Sequence, residues 1–388
     1  MVKRSFWLQR IQQAWRHVPI VWLSGVRRVG KTTLARSLPN IHYLNCDLPS
    51  THELLRDPES FFGSITTPVV VLDEIHQLPD PSRILKIAAD AYSHLKILAT
   101  GSSTLAATQK FRDSLTGRKR TIHLVPVLIQ ELPEFGIPDL RKRLFQGGLP
   151  QALLAPAKDA DFYAEWLDSY YARDVQELFR VEKRSGFLLL VEAVLRQSGC
   201  LFEVSSLAKM CQLSRPTVLN YLEVLQLTHV LYLLRPYHQG GSQELVRQPK
   251  LYGFDTGFVS HIRGWGELRS EDCGILWEHL VLEHLLATFA PSKIFFWRDK
   301  QQHEVDFVTP EGRNACHAIE CKWNVDRFDA ANLVAFRSFY PKGKNFVVAP
   351  NVPHRYTRTI KGMQITYTHP TELIFGSLQA GLLGNSKE

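Results

Sequence analysis

A chain of 388 residues, 45% hydrophobic and 22% charged, is long enough for two or three domains and too evenly mixed for a fibrous or disordered protein. Its formal charge of +8 favours a polyanionic partner, although a nucleotide site alone would account for part of that excess. Six cysteines without paired metal spacing suit reduced thiols in the cytoplasm. No apolar stretch reaches the length of a membrane span or follows the first charges as a secretory signal would, so no membrane partner is expected.

The first predicted strand, Ile20 to Leu23, runs into Gly25, Val26, Arg27, Arg28, Val29, Gly30, Lys31, Thr32 and Thr33, and a helix follows from Thr33 to Leu38. Strand, glycine-bearing loop and helix in that order form a phosphate-binding loop. Its N–H groups turn inward, and the helix N-terminus adds a dipole favourable to phosphate. Lys31 would reach the β- and γ-phosphates of ATP, and Thr32 would hold Mg²⁺. The β-branched run from Val69 to Leu72 reads as a strand buried on both faces, ending in Asp73 and Glu74. Asp73 would hold the Mg²⁺ shell and Glu74 would orient or deprotonate the attacking water. A further strand from Lys96 ends in Thr100, Gly101, Ser102 and Ser103. Ser102 or Ser103 reads either as a sensor of the γ-phosphate or as a turn that caps the next helix. Arg118 reads either as an arginine finger on a neighbouring subunit's nucleotide, which implies a homo-oligomer, or as a solvated surface arginine.

Four of these segments, Gly25–Thr33, Val71–Ile75, Ala99–Ser103 and Leu115–Arg118, together resemble a group of prokaryotic AAA-type ATPases. Members of that group carry a C-terminal domain assigned to the PD-(D/E)XK nuclease superfamily. The resemblance continues through Phe145–Pro150, Tyr171–Asp174 and Pro249–Gly257, so it covers nearly the whole chain. Val26 stands where the relatives usually carry proline, which alters loop stiffness rather than any phosphate ligand.

Residues 136–199 read as the helical lid of the ATPase with a connector, following the P-loop AAA-type ATPase domain over 1–135. A winged helix is expected over 200–262. Ser205 or Ser206 would cap a first short helix, and Ser214 a second with Pro216 in its first turn. In the second helix Val218, Leu222 and Leu225 share a buried face, leaving Arg215, Thr217, Asn220 and Tyr221 outward for a DNA groove. A wing from Val230 to Tyr252, with its loop at Gln239–Ser242, would set Arg235, Arg247 and Lys250 as phosphate contacts. The same fold used only for protein packing remains the other reading.

Residues 263–388 would form the α/β nuclease-like domain. Gly274 to Glu283 reads as an amphipathic helix carrying Glu278. Strands follow around Lys293–Trp297, Glu304–Val308 and Ala318–Lys322, and a hairpin would set Asp306 beside Glu320. Two such carboxylates, with Glu278 as a third, would hold Mg²⁺, and Lys322 would orient or deprotonate a water attacking a phosphodiester. Asp306, Glu320 and Lys322 match the superfamily's Asp…Glu-x-Lys signature. The leading functional expectation is an ATP-hydrolysing DNA-binding protein whose nucleotide state controls engagement of DNA, at branched or end structures. An ATP-gated, Mg-dependent DNA nuclease and a nucleotide switch that assembles protein partners are the alternatives.

Overall fold

The computed structural model describes residues 2–101, 109–176, 179, 181, 183–238, 248–312 and 315–373. Ser102, Ser103, Arg247, the wing loop at Gln239–Ser242 and the tail at 377–388 therefore lie outside the described residues.

The N-terminal part is a parallel five-stranded sheet flanked by helices. Helix α1 (Ser5–Trp15) precedes β1 (Ile20–Ser24), α2 (Lys31–Arg36), β2 (Ile41–Asn45), α3 (Pro49–Leu54), α4 (Pro58–Ser64), β3 (Val69–Asp73), α5 (Pro81–Ala91), β4 (Lys96–Thr100), α6 (Gln109–Ser114) and β5 (Lys119–His123). The strands lie in the order β2-β3-β4-β1-β5, with β1 at an interior place between β4 and β5. Every residue of β1 is buried, as an apolar strand between two parallel neighbours requires. In α1, Trp7, Ile11, Ala14 and Trp15 are buried, the spacing of one helical face.

A helical middle follows, with α7 (Leu140–Gln146), α8 (Pro150–Leu154), α9 (Ala160–Tyr170), a π-helical stretch over Tyr171–Gln176, α10 (Arg184–Arg196), α11 (Val204–Met210) and α12 (Arg215–Leu227). Phe162, Trp166 and Tyr170 are buried core, Trp166 stacking on Tyr170 with ring centroids 5.2 Å apart. Glu203, rather than Ser205 or Ser206, stands at the N-cap of α11, and no side chain caps that helix. Ser214 does cap α12, accepting from Thr217 N at 3.2 Å.

The strands that follow α12, β6 (Leu231–Pro236) and β7 (Lys250–Gly253), pair antiparallel. They are not confined to a separate small unit. Beyond α13 (Thr256–Ile262) and α14 (Asp272–Thr288), the chain adds β8 (Phe295–Arg298), β9 (Glu304–Glu311), β10 (Ala315–Cys321), α15 (Ala331–Phe339), β11 (Asn345–Val348), β12 (Tyr356–Ile360) and β13 (Met363–Thr368). Strand β6 pairs parallel with β8 through Arg235 and Pro236, so one eight-stranded sheet runs β12-β13-β11-β10-β9-β8-β6-β7. The boundary expected between 262 and 263 thus cuts across a continuous sheet.

Helix α14 also departs from expectation. It is buried on nearly all sides, because it lies between α7 and β5 on one side and β10 on the other. A helix that is apolar all round belongs in such an interior place. Both its histidines have partners within it and across it: His279 Nδ1 lies 2.7 Å from Ile275 O, and His284 Nε2 lies 3.0 Å from Gln130 Oε1. Glu283 is ion-paired to the fully buried Arg143 of α7, whose Nε donates to Val127 O at 2.6 Å. Two segments of the resemblance meet here. Asp255 accepts from Gly148 N at 2.7 Å and Gly257 N at 2.8 Å, and a Cβ on Gly257 would collide with the Gln146 carbonyl. Phe145–Pro150 and Gly253–Gly257 are therefore a packing joint, and their glycines are what the close approach needs.

Candidate functional site

The phosphate loop leaves the carboxyl end of β1, and its shape follows from its residues. Gly25 has φ 148° and Gly30 φ 99°, and a Cβ on Gly25 would strike the Leu124 carbonyl. Lys31 Nζ donates to Gly25 O at 2.9 Å and Val26 O at 3.1 Å, so the ammonium is held by neutral carbonyls inside the loop. Burial lowers its pKa, and Glu74, Asp174 and Asp73 pull it back up. Gly25, Arg27, Arg28, Gly30, Lys31, Thr32 and Thr33 line a cavity of roughly 1130 Å³, together with Asp47 and Glu74. Val26 and Val29, expected among the nucleotide contacts, turn their side chains into the core and present only backbone. The Val29 carbonyl accepts from Arg4 Nη1 at 3.0 Å, and Arg4 is itself anchored on buried Glu131 at 2.7 Å.

Asp73 is held at the end of β3. Tyr43 OH donates to one carboxylate oxygen at 2.6 Å, and Thr100 Oγ1 donates to the other at 2.5 Å. The same Thr100 hydroxyl accepts from Glu74 N at 3.0 Å, so the hydroxyl at the tip of β4 braces both acids. Tyr43 is pushed up to about 12 by burial and by its bond to Asp73. Glu74 adopts a left-handed backbone (φ 56°), with Oε2 lying 3.3 Å from His76 Nδ1. Burial raises its pKa, while Lys31 and His76 pull it down. Thr32 in the cavity and the oriented Asp73 are a donor set that suits Mg²⁺.

The cavity residues that the sequence did not single out include Arg173, Asp174 and Thr228. Arg173 and Asp174 line it from the π-helical stretch, and Asp174 Oδ2 is 3.3 Å from Arg27 Nη1. A π-helical turn shifts the phase set by Trp166 and Tyr170, so a 3.6-residue period does not aim these residues correctly. Thr228, just past α12, lines the cavity and lies 2.6 Å from Tyr170 OH. The next residue, His229, sits with Nε2 2.6 Å from Ser24 Oγ, immediately before the phosphate loop. Its ring lies tilted against that of His123 of β5, with centroids 4.2 Å apart, and His123 Nε2 is 2.6 Å from Tyr232 OH of β6. Burial drives both imidazoles down, His229 to about 4, so both stay neutral.

Arg118 stands at the opposite, amino end of the parallel sheet, one residue before β5, and is paired with Asp90 at 2.5 Å. It does not touch this chain's own phosphate cavity. Of the expected nucleic-acid contacts, Arg215, Asn220 and Arg235 are exposed and Thr217 is half-buried. Tyr221 is only 7% exposed and packs on Phe187, because α10 covers that side of α12. Lys250 is likewise no phosphate contact: it is 4% exposed and ion-paired inside the C-terminal sheet.

In that sheet the antiparallel register of β9 and β10 sets Ile319 opposite Phe307, which puts Glu320 opposite Asp306 as the hairpin reading requires. Asp306 Oδ2 accepts from Cys321 N at 2.7 Å, and Lys322 Nζ donates to Glu320 Oε2 at 2.8 Å. Burial and then Glu278 push Asp306 up to about 6, and burial and then Asp306 push Glu320 up to about 8. Glu278 is engaged elsewhere, accepting from Lys250 at 2.8 Å and from Tyr252 OH. Among the described residues no group of three or more His, Cys, Asp or Glu side chains could hold a metal ion. Glu278 raises Asp306 and Asp306 raises Glu320, so the three acids lie close together, but Lys250 and Tyr252 hold Glu278 and Lys322 holds Glu320, and as arranged the set does not fit Mg²⁺.

Residues 17–133 match the model of an AAA domain. Residues 137–269 and 273–365 match two separate domains of unknown function. Uncharacterized proteins from Mycobacterium bovis and Mycobacterium tuberculosis are each 27% identical over 331 residues, covering 81% of this chain and 73% of the relative. Among solved structures the chain is similar to a DNA replication initiation factor (13% identity, 58% of this chain and 86% of that one, TM-score 0.25). It is also similar to Cdc6p from Pyrobaculum aerophilum (11% identity, 68% and 94%, TM-score 0.27). The family match falls on the phosphate loop and the paired acids, so this segment resembles an AAA domain where the candidate site lies. No helix among the described residues is long and apolar enough to cross a membrane.

Proposed function

We propose that the chain is an ATP-hydrolysing DNA-binding protein in which the nucleotide at the P-loop controls how the α11–α12 helix pair engages DNA. One observation carries this reading. The residues directly after α12 belong to the nucleotide site, with Thr228 lining the cavity and His229 bonded to Ser24 just before the loop. A phosphate that moves the loop would therefore act on the end of the helix that presents Arg215 and Asn220 to solvent. The pair α11–α12 with the hairpin β6–β7 is read as a winged helix, and the charge of +8 supports a polyanionic partner.

At the ATPase site, Lys31 would reach the β- and γ-phosphates, and Arg27 and Arg28 line the cavity beside them. Thr32 and Asp73 would hold Mg²⁺, which when bound neutralises charge developing on the phosphates. Glu74 would take the proton of the attacking water, helped by the upward push that burial gives its pKa. Arg118 would reach a nucleotide only in a neighbouring copy, so its role requires a homo-oligomer.

The test is a gel shift on duplex, forked and single-stranded DNA, with and without ATP, for the wild type and Lys31→Ala. ATP is expected to change the wild type's affinity by about tenfold, the scale of a coupling near 1.4 kcal/mol, and to leave Lys31→Ala unmoved. Binding that ignores ATP, or no binding to any of the three, sinks the reading.

A further inference from the structure

Lys250, the first residue of β7, reaches into the carboxylates of the C-terminal sheet. Its Nζ lies 2.8 Å from Glu278 Oε1 on α14 and 2.7 Å from Glu304 Oε1 on β9. Tyr252 OH, on the same face of β7, also donates to Glu278. Asp306 adds to the negative field around the ammonium. On the other side of the cluster Arg298 Nη1 is 2.7 Å from Glu304 Oε2, and Lys322 Nζ is 2.8 Å from Glu320 Oε2. Three cations therefore face four carboxylates, leaving little charge for another cation to answer. Glu320 Oε1 nevertheless remains buried with no hydrogen-bond partner, an acceptor left over by the cluster.

A divalent ion between Glu278, Asp306 and Glu320 would stand close to the Lys250 ammonium in a poorly solvated interior, where like charges repel strongly. Removing that ammonium would leave Glu278 without its ion-pair partner beside Asp306 and the spare oxygen of Glu320, while Glu304 keeps Arg298. Oxygen donors of this kind are what Mg²⁺ and Mn²⁺ take. We propose that Lys250 is the resident cation of this cluster and keeps divalent metal out of the Glu278–Asp306–Glu320 site while β7 is docked. The acidic signature in this conformation is thus closed by the chain's own lysine, whether or not the chain binds DNA.

The experiment is a Mn²⁺ titration of the full chain without nucleotide, read by electron paramagnetic resonance of the free ion. Wild type and Asp306→Asn are expected to titrate alike, because neither holds metal at Asp306. Lys250→Met is expected to gain one Mn²⁺ per chain, bound at least about tenfold tighter than the background uptake that wild type and Asp306→Asn share, and Lys250→Met/Asp306→Asn to lose it. Lys250→Arg, which keeps a cation on β7, is expected to titrate like wild type. A wild type that takes up more Mn²⁺ than Asp306→Asn overturns the proposal, and this comparison stands even if Lys250→Met fails to fold. So does a Lys250→Met with wild-type circular dichroism that gains no site.

Discussion

The P-loop cavity and the C-terminal carboxylate cluster both set lysines against acids at the ends of strands, but they dispose of the lysine charge differently. Lys31 directs its hydrogen bonds to the carbonyls of Gly25 and Val26 and faces a cavity of roughly 1130 Å³. Lys250 and Lys322 are ion-paired to Glu278, Glu304 and Glu320 in the packed sheet. A lysine on neutral carbonyls keeps its charge for an incoming phosphate, whereas one paired with buried carboxylates has it already answered. The motif alone therefore does not say whether its lysine is free for a ligand; the partner of the lysine does.

The largest expected effect strikes the open site. Glu74→Gln keeps the shape of the cavity and removes the base, so steady-state ATP turnover should fall about 10²- to 10⁴-fold while a fluorescent nucleotide still binds. Phosphate release and fluorescence titration read the two quantities separately. Unchanged turnover would erase the contrast, leaving the P-loop site no more chemical than the C-terminal one.

A second change tests what holds the two regions in one frame. Arg143→Met strands the buried Glu283 of α14 and should cost about 3–5 kcal/mol in denaturant unfolding. Replacing both, with Arg143→Met/Glu283→Leu, should recover most of that loss, since the pair then leaves no uncompensated charge. A single variant as stable as wild type would mean that α7 and α14 are joined by packing alone.

The smallest effect concerns the imidazole contact between the phosphate loop and the hairpin. His229 is held down to about 4 by burial and, next, by Lys31, against an ordinary 6.5. The unfolded chain therefore takes up the proton first. The contribution is present above pH 6.5 and is lost as pH falls toward 4, on the order of 3 kcal/mol. His229→Gln should flatten that acid limb in thermal melts between pH 7 and 4. An equally steep limb in the variant would assign the acid sensitivity to other buried histidines, such as His279 and His284, each lowered to about 3 by burial.

Legibility followed the range of the interactions. The phosphate loop is a local device, readable because its glycines, Lys31 and Thr32 act within one turn of chain. The Asp306–Glu320 pairing was readable too, since a hairpin converts sequence distance directly into register. The outward placement of Tyr221 failed because α10, remote in sequence, covers α12. Helix α14 was read as amphipathic because Leu276, Leu280 and Val281 are spaced for a single core face. In the structure Arg143, Ser198 and Lys250, all distant in sequence, answer Glu283, His279 and Glu278.

By itself, then, the order of residues determined the phosphate loop, the paired acids of β3 and the strands that carry Asp306 and Glu320, because each is set by backbone geometry over a few residues. Only the tertiary structure decided which lysine meets which acid. Lys250 lies 28 residues from Glu278 and 54 from Glu304, and β6 joins β8 across the intervening helices α13 and α14. Such charge pairing depends on how distant elements pack and on how much water that packing excludes, and no local pattern of residue types encodes either.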